Sequence, residues 1–270
     1  MHITTTFLAL GLYLTCGILL LFRLLGKDLI RKLQKPQILL LVLVALIFHT
    51  IALYHDLFTP TGLDIGFFNV LSLVAWLVVL LLTLAAITMQ VECLGVIVYP
   101  FAAGMLLISQ VSDQHHILPY HMQAGIQLHI LISILAYSVL SIAAVQAILL
   151  YVQDVQLHNK HPGGFIRSFP PLQTMETLLF RMITIGFVVL GLSLLSGVIY
   201  LEDMFAQHLV HKTILSIAAW VLFGILLWGR RQFGWRGRIA IRWTISGFVL
   251  LMLAYFGSKF VIELVLNRAG

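Results

Sequence analysis

A chain of 270 residues that is 61% hydrophobic and only 10% charged, with a mean hydropathy of +1.04, cannot be a water-soluble globular domain; such domains carry about 25% charged residues. The formal net charge of +6 calls for no nucleic-acid partner, because the basic residues sit in short connectors that face anionic lipid. Two cysteines, Cys16 and Cys93, lie in or beside apolar runs with no CxxC or CxxCH arrangement, which excludes thiol oxidoreductases and covalently attached c-type haem.

A helix crosses the hydrocarbon core with roughly 20 mostly apolar residues, since every backbone amide must be satisfied inside the segment. Eight stretches qualify: Thr4–Leu25, Gln37–Tyr54, Gly66–Met89, Cys93–Val111, Ile126–Val152, Leu178–Tyr200, Leu209–Trp228 and Thr244–Leu266. The expected fold is therefore all-α, one multi-pass membrane domain over residues 1–270 with the lipid bilayer as its first partner. The apolar run from Ile65 to Val111 is broken at Gln90 and Glu92, so a tight hairpin near Thr88–Glu92 is predicted. The first span has no positive charge before it and no small-residue cleavage site, and KDLIRKLQK follows it. It is expected to stay as a span.

Arg23, Lys27, Arg31, Lys32 and Lys35 flank the first connector, Lys160, Arg167 and Arg181 the fifth, and Arg230, Arg231, Arg236, Arg238 and Arg242 the seventh. These odd-numbered connectors hold 13 of the 16 basic residues; Lys212, Lys259 and Arg268 lie elsewhere. By the positive-inside rule both termini are expected to face outward. The longest connectors are SDQHHILPYHMQAG outside and QDVQLHNKHPGGFIRSFPP inside, the latter broken by Pro162, Gly163, Gly164, Pro170 and Pro171. No internal repeat is visible, which weakens a transporter reading.

That topology places nine of eleven histidines in the outer half: His2, His49, His55, His115, His116, His121, His129, His208 and His211. His158 and His161 fall inside. The loop group His115, His116 and His121 reads as solvated side chains, with metal binding or pH sensing as the alternative. Imidazoles within spans are costly in hydrocarbon and face a bundle interior or cavity. His49 has Ala45 and Ala52 on nearby turns, so it is either an interhelical hydrogen-bonding group or a site residue. His129 starts a stripe with Ser133, Tyr137 and Ser141 at steps of four, a polar face that should meet protein. His211 opens the seventh span, preceded by Glu202, Asp203 and His208. Equal depth makes His129 and His211 candidates for the two axial ligands of a haem iron, each needing its other ring nitrogen hydrogen-bonded. Lys212 or Lys259 could pair with a haem propionate, although Lys259 and Glu263, four apart, can equally pair with each other. Trp228, Trp235 and Trp243 flank the seventh connector as an interfacial belt.

Four segments carry a resemblance to a known family: FHTIALY around His49, LHILISILAYSVLSIAAVQAILLY from His129, HKTILSIAAW from His211, and GWRGRIAIRWTISGFVLLMLAYFGSKFV near the C-terminus. The chain resembles the cytochrome c assembly family, in the HemX-like and YpjD-type branch that lacks the tryptophan-rich motif. The resemblance implies an inner-membrane protein that handles haem near its outer face, with His129 at the position of the first external histidine motif. The segment LEDMFAQHLVHKT has no tryptophan, which departs from members that present haem to apocytochrome and puts ligase activity in doubt. His211 rests on topology and spacing alone.

The reading that follows is a haem-handling accessory protein with His49, His129 and His211 at the cofactor and a cytochrome-maturation or haem-biosynthesis protein as partner. Its rival is a non-catalytic regulator or scaffold that docks a partner through GRRQFGWRGR and NKHPGGFIRSFPP; HemX-like relatives imply control of an early step of tetrapyrrole synthesis. A proton-relay transporter is weaker, since Glu263 is the one carboxylate placed near a span interior. No nucleophile elbow, phosphate loop or zinc-protease motif occurs, so no independent catalysis is expected.

Overall fold

A computed structural model describes residues 2–26, 34–60, 62–111, 117–119, 124–159, 169–200 and 210–257. Among them are eight helices long and apolar enough to cross a membrane: α1 (His2–Leu24), α2 (Lys35–Leu57), α3 (Phe67–Thr88), α4 (Gly95–Val111), α5 (Ala124–His158), α6 (Leu172–Tyr200), α7 (Val210–Phe233) and α8 (Arg238–Met252). The fold is an all-α membrane fold, as the apolar runs require. Helix ends depart most from the sequence reading where polar residues continue a helix past the apolar window. Thus α5 runs on to His158, α6 begins at Leu172 and α8 at Arg238, and a π-helical turn, Leu253–Gly257, follows α8. The sequence reading has no counterpart for three short strands, β1 (Phe58–Thr59), β2 (Gly62–Asp64) and β3 (Ile117–Pro119), each too short to show an alternating pattern.

The chain divides into two compact units: Met1–Ile117 with Val152–Leu172, and Leu118–Tyr151 with Gln173–Gly270. In the first, α1 packs on α2 and α4, and α3 on the same two helices. The close α1–α4 approach needs glycine at position 17, because a Cβ there would meet Pro100 Cγ at 2.8 Å and a proline ring cannot swing aside. The α2 start is fixed by Pro36 and by Gln37 Oε1, which accepts the Gln34 N–H at 2.9 Å. Lys35 then ties it to the α3–α4 hairpin: Nζ lies 2.6 Å from Glu92 Oε1 and donates to the Met89 carbonyl at 3.4 Å. That hairpin occurs where Gln90 and Glu92 predicted it, with a 3-10 turn at Glu92–Leu94.

In the second unit, glycines again set helix spacing. Trp220 of α7 donates its indole N–H to the Phe187 carbonyl of α6 at 3.2 Å and stacks on the Phe187 ring at 4.9 Å; a Cβ on Gly191 would lie 3.0 Å from that indole nitrogen. Where α5 begins and α6 ends, a Cβ on Gly125 of α5 would fall inside the Tyr200 ring of α6. These two contacts hold α6 against α5 and α7, and α6 carries half of the site below.

Candidate functional site

His49 lies on α2 in the first unit with no exposed surface. Its Nδ1 is 3.1 Å from the Tyr13 hydroxyl of α1 and its Nε2 3.1 Å from Ser72 Oγ of α3, while the Tyr13 ring meets it edge-on at 5.7 Å. A neutral imidazole has one N–H and one lone pair, so both are taken and one hydroxyl donates while the other accepts. In this arrangement His49 cross-links three helices, and no ring lone pair remains for iron. Buried Ala45 and Ala52 allow the close approach.

His129, half-buried in the second turn of α5, faces Ser193 and Ser196 of α6. Its Nδ1 lies 3.0 Å from the Ser193 carbonyl oxygen and 2.9 Å from Ser196 Oγ. A carbonyl oxygen only accepts, so Nδ1 carries the ring proton. Ser196 Oγ itself donates to the Ser193 carbonyl at 2.8 Å and therefore accepts from Nδ1. A second rung runs beside the first: Ser133 Oγ donates to the His129 carbonyl at 2.7 Å, so the 2.7 Å contact between the Ser133 and Ser193 hydroxyls has Ser193 as donor.

Every hydroxyl proton in this ladder is thereby assigned, and each hydroxyl bridges α5 and α6 without an orphaned group. One group is left over. Nε2 keeps its lone pair, and among the described residues nothing hydrogen-bonds it. The stripe expected to face protein does so at His129, Ser133 and Tyr137: Tyr137 is buried against Phe248 and Tyr255, with ring centroids at 5.6 and 6.5 Å, whereas half-buried Ser141 donates to the Tyr137 carbonyl of its own helix.

His211 is the second residue of α7 and is exposed. Neither hydrogen bond nor ring contact joins it to His129 among the described residues. Its neighbours Glu202, Asp203 and His208, together with His115, His116, His121, His161, Lys259 and Glu263, lie outside the described residues. The structure thus places His129 and His211 in one unit and His49 in the other. Sequence reasoning missed Ser193 and Ser196, which are three apart on α6 and so on one face; a serine pair at that spacing opposite the His129–Ser133 face is the signal that would have found them.

Trp228 is 60% exposed, the arrangement an interfacial anchor needs. Trp235 and Trp243 are partly buried and pack on one another at 5.4 Å, so they brace the α7–α8 connector instead.

The family described as Cytochrome C assembly protein matches residues 37–266. Inner membrane protein YpjD of Escherichia coli K12 is 35% identical over 224 residues, which cover 82% of this chain and 85% of that protein. An uncharacterized 28.8 kDa protein of Azospirillum brasilense is 36% identical over 144 residues, 53% of each chain. The cytochrome c biogenesis protein CcsA of Prochlorococcus marinus MIT 9515 is 24% identical over 180 residues, 59% of this chain and 58% of that one. No solved structure matches. A family match that takes in seven of the eight helices, together with a relative similar over most of its length, makes this chain a multi-pass inner-membrane member of the cytochrome c assembly protein family.

Proposed function

We propose that this protein is a haem-handling accessory factor with a role in cytochrome c biogenesis, and that His129 Nε2 would hold the haem iron. Family membership supports the coarse role. The observation that carries the finer one is the α5–α6 ladder, which holds the imidazole as the Nδ1–H tautomer and, among the described residues, leaves the Nε2 lone pair as its one unused group. Metal-binding histidines have this arrangement, the far ring nitrogen donating to a carbonyl or hydroxyl that fixes ring orientation and raises ligand basicity.

Among the described residues no three His, Cys, Asp or Glu side chains gather, so one imidazole is too few ligands for a bare ion at this place. Haem supplies most of its iron's ligands itself and would need only one or two donors from the protein. His211 is the proposed second donor, from the exposed start of α7. His49 does not fit the group as it is packed. The protein's own part is to bind and orient the group; no catalytic step is assigned to it.

Haem titration of the purified protein, followed in the Soret region, tests this reading. Saturable low-spin haem is expected for the wild type and a loss of about 10-fold or more in affinity for His129→Ala. His211→Ala is expected to turn the spectrum high-spin with haem still bound. Identical titrations for the wild type and the double variant would contradict both assignments.

A further inference from the structure

Every serine of the His129 ladder is satisfied across the α5–α6 interface; Gln146, further along α5, is not. Its side chain has no exposed surface. Nε2 donates to the Met175 carbonyl of α6 at 2.9 Å and lies 3.3 Å from Met175 Sδ. Both contacts are acceptors, so the carboxamide cannot be turned end for end, and both of its N–H groups are used. Oε1 is thereby aimed elsewhere. It is fully buried, and among the described residues no group donates to it.

The depth of this oxygen makes its isolation costly. Gln146 lies six residues before Val152, where the apolar run of α5 ends, which puts it about 9 Å inside the hydrocarbon by helical rise. Lipid offers no donor there, and the flanking Ala143, Ala147 and Leu150 are buried apolar residues. An apolar side chain of similar size would pack at position 146 without stranding any group. The glutamine is therefore explained by a ligand that brings a donor of its own.

The surroundings define that ligand. It is small, because Gln146 and Met175 are both without exposed surface. It is uncharged, because one neutral oxygen and a thioether are too few and too weak to coordinate a cation. We infer that Gln146 Oε1 holds an ordered water molecule inside the membrane, next to Met175. The water gives one proton to Oε1 and its second to the thioether, a weak acceptor. Gln153, seven residues on and on the same face of α5, repeats the pattern. It is 4% exposed, its Nε2 donates to the Pro170 carbonyl at 3.0 Å, and its Oε1 has no donor among the described residues. The site stands independently of the haem reading.

Radiolytic footprinting of the full-length protein in lipid nanodiscs tests it. Hydroxyl radicals form from the bound water itself, and a thioether beside that water is oxidised to the sulfoxide. Met175, having no exposed surface, stays unlabelled if no water adjoins it. The wild type should label at Met175, with an oxygen that exchanges into isotopically labelled water more slowly than at exposed side chains. Gln146→Leu should lower that labelling by about 10-fold, the factor lost with one hydrogen bond. An unlabelled Met175 in the wild type overturns the proposal, as does equal labelling in the Leu variant. Should that variant fail to fold, the exchange rate in the wild type decides: slow exchange supports an ordered water, and exchange as fast as at exposed side chains overturns it.

Discussion

Replacing His49 with alanine is expected to lower stability by about 3 kcal/mol and to leave haem binding intact. The side chain is fully buried between α1, α2 and α3, so truncation opens a cavity and strands the Tyr13 and Ser72 hydroxyls. Interhelical hydrogen bonds in membranes average about 0.6 kcal/mol and reach about 1.7; most of the loss therefore comes from packing, about 2 kcal/mol. His49→Phe, which refills much of the volume but pairs neither hydroxyl, should lose less, about 1–2 kcal/mol. Unfolding in mixed micelles reads both. A His49→Ala protein of normal stability that no longer takes up haem would mean that this histidine is a ligand and that the three-helix cross-link opens to free it.

Removing the Ser196 hydroxyl should weaken haem binding by about 10-fold without changing which nitrogen of His129 is protonated. In Ser196→Ala the Ser193 carbonyl, 3.0 Å from Nδ1, remains as acceptor. The proton therefore stays on Nδ1, but the ring loses the second contact that fixes its orientation. Ser196→Thr restores the hydroxyl and should restore affinity. Nitrogen NMR of haem-free protein with labelled histidine rings reads the tautomer directly: an N–H-type signal for His129 Nδ1 is expected in wild type and in both variants. Protonated Nε2 in the wild type would show that the ladder runs the other way and that no lone pair is offered outward.

The eight spans were legible because bilayer thickness imposes a run length that composition alone reveals. The hairpin at Gln90 and Glu92 and the protein-facing stripe from His129 to Tyr137 were legible for the same reason, since polar groups in hydrocarbon must turn the chain or find a partner. What the partner is was not legible. Tyr13 reaches His49 across 36 residues and Ser193 reaches His129 across 64; neither pairing leaves a local pattern. Serines in an apolar helix read as small spacers until the facing helix is known, and Gly17 gives no sign of Pro100. Equal depth on two helices suggested that His129 and His211 face one another, but depth fixes only one coordinate, and His211 lies exposed at the start of α7.

The central claim is that His129 supplies an imidazole to haem iron, and ligand replacement tests it most directly. His129→Gly should bind haem weakly on its own and regain the low-spin Soret spectrum when free imidazole is added, since the α6 acceptors at Ser193 and Ser196 remain to orient the small molecule. A His129→Gly protein whose haem spectrum matches the wild type without imidazole would contradict the claim.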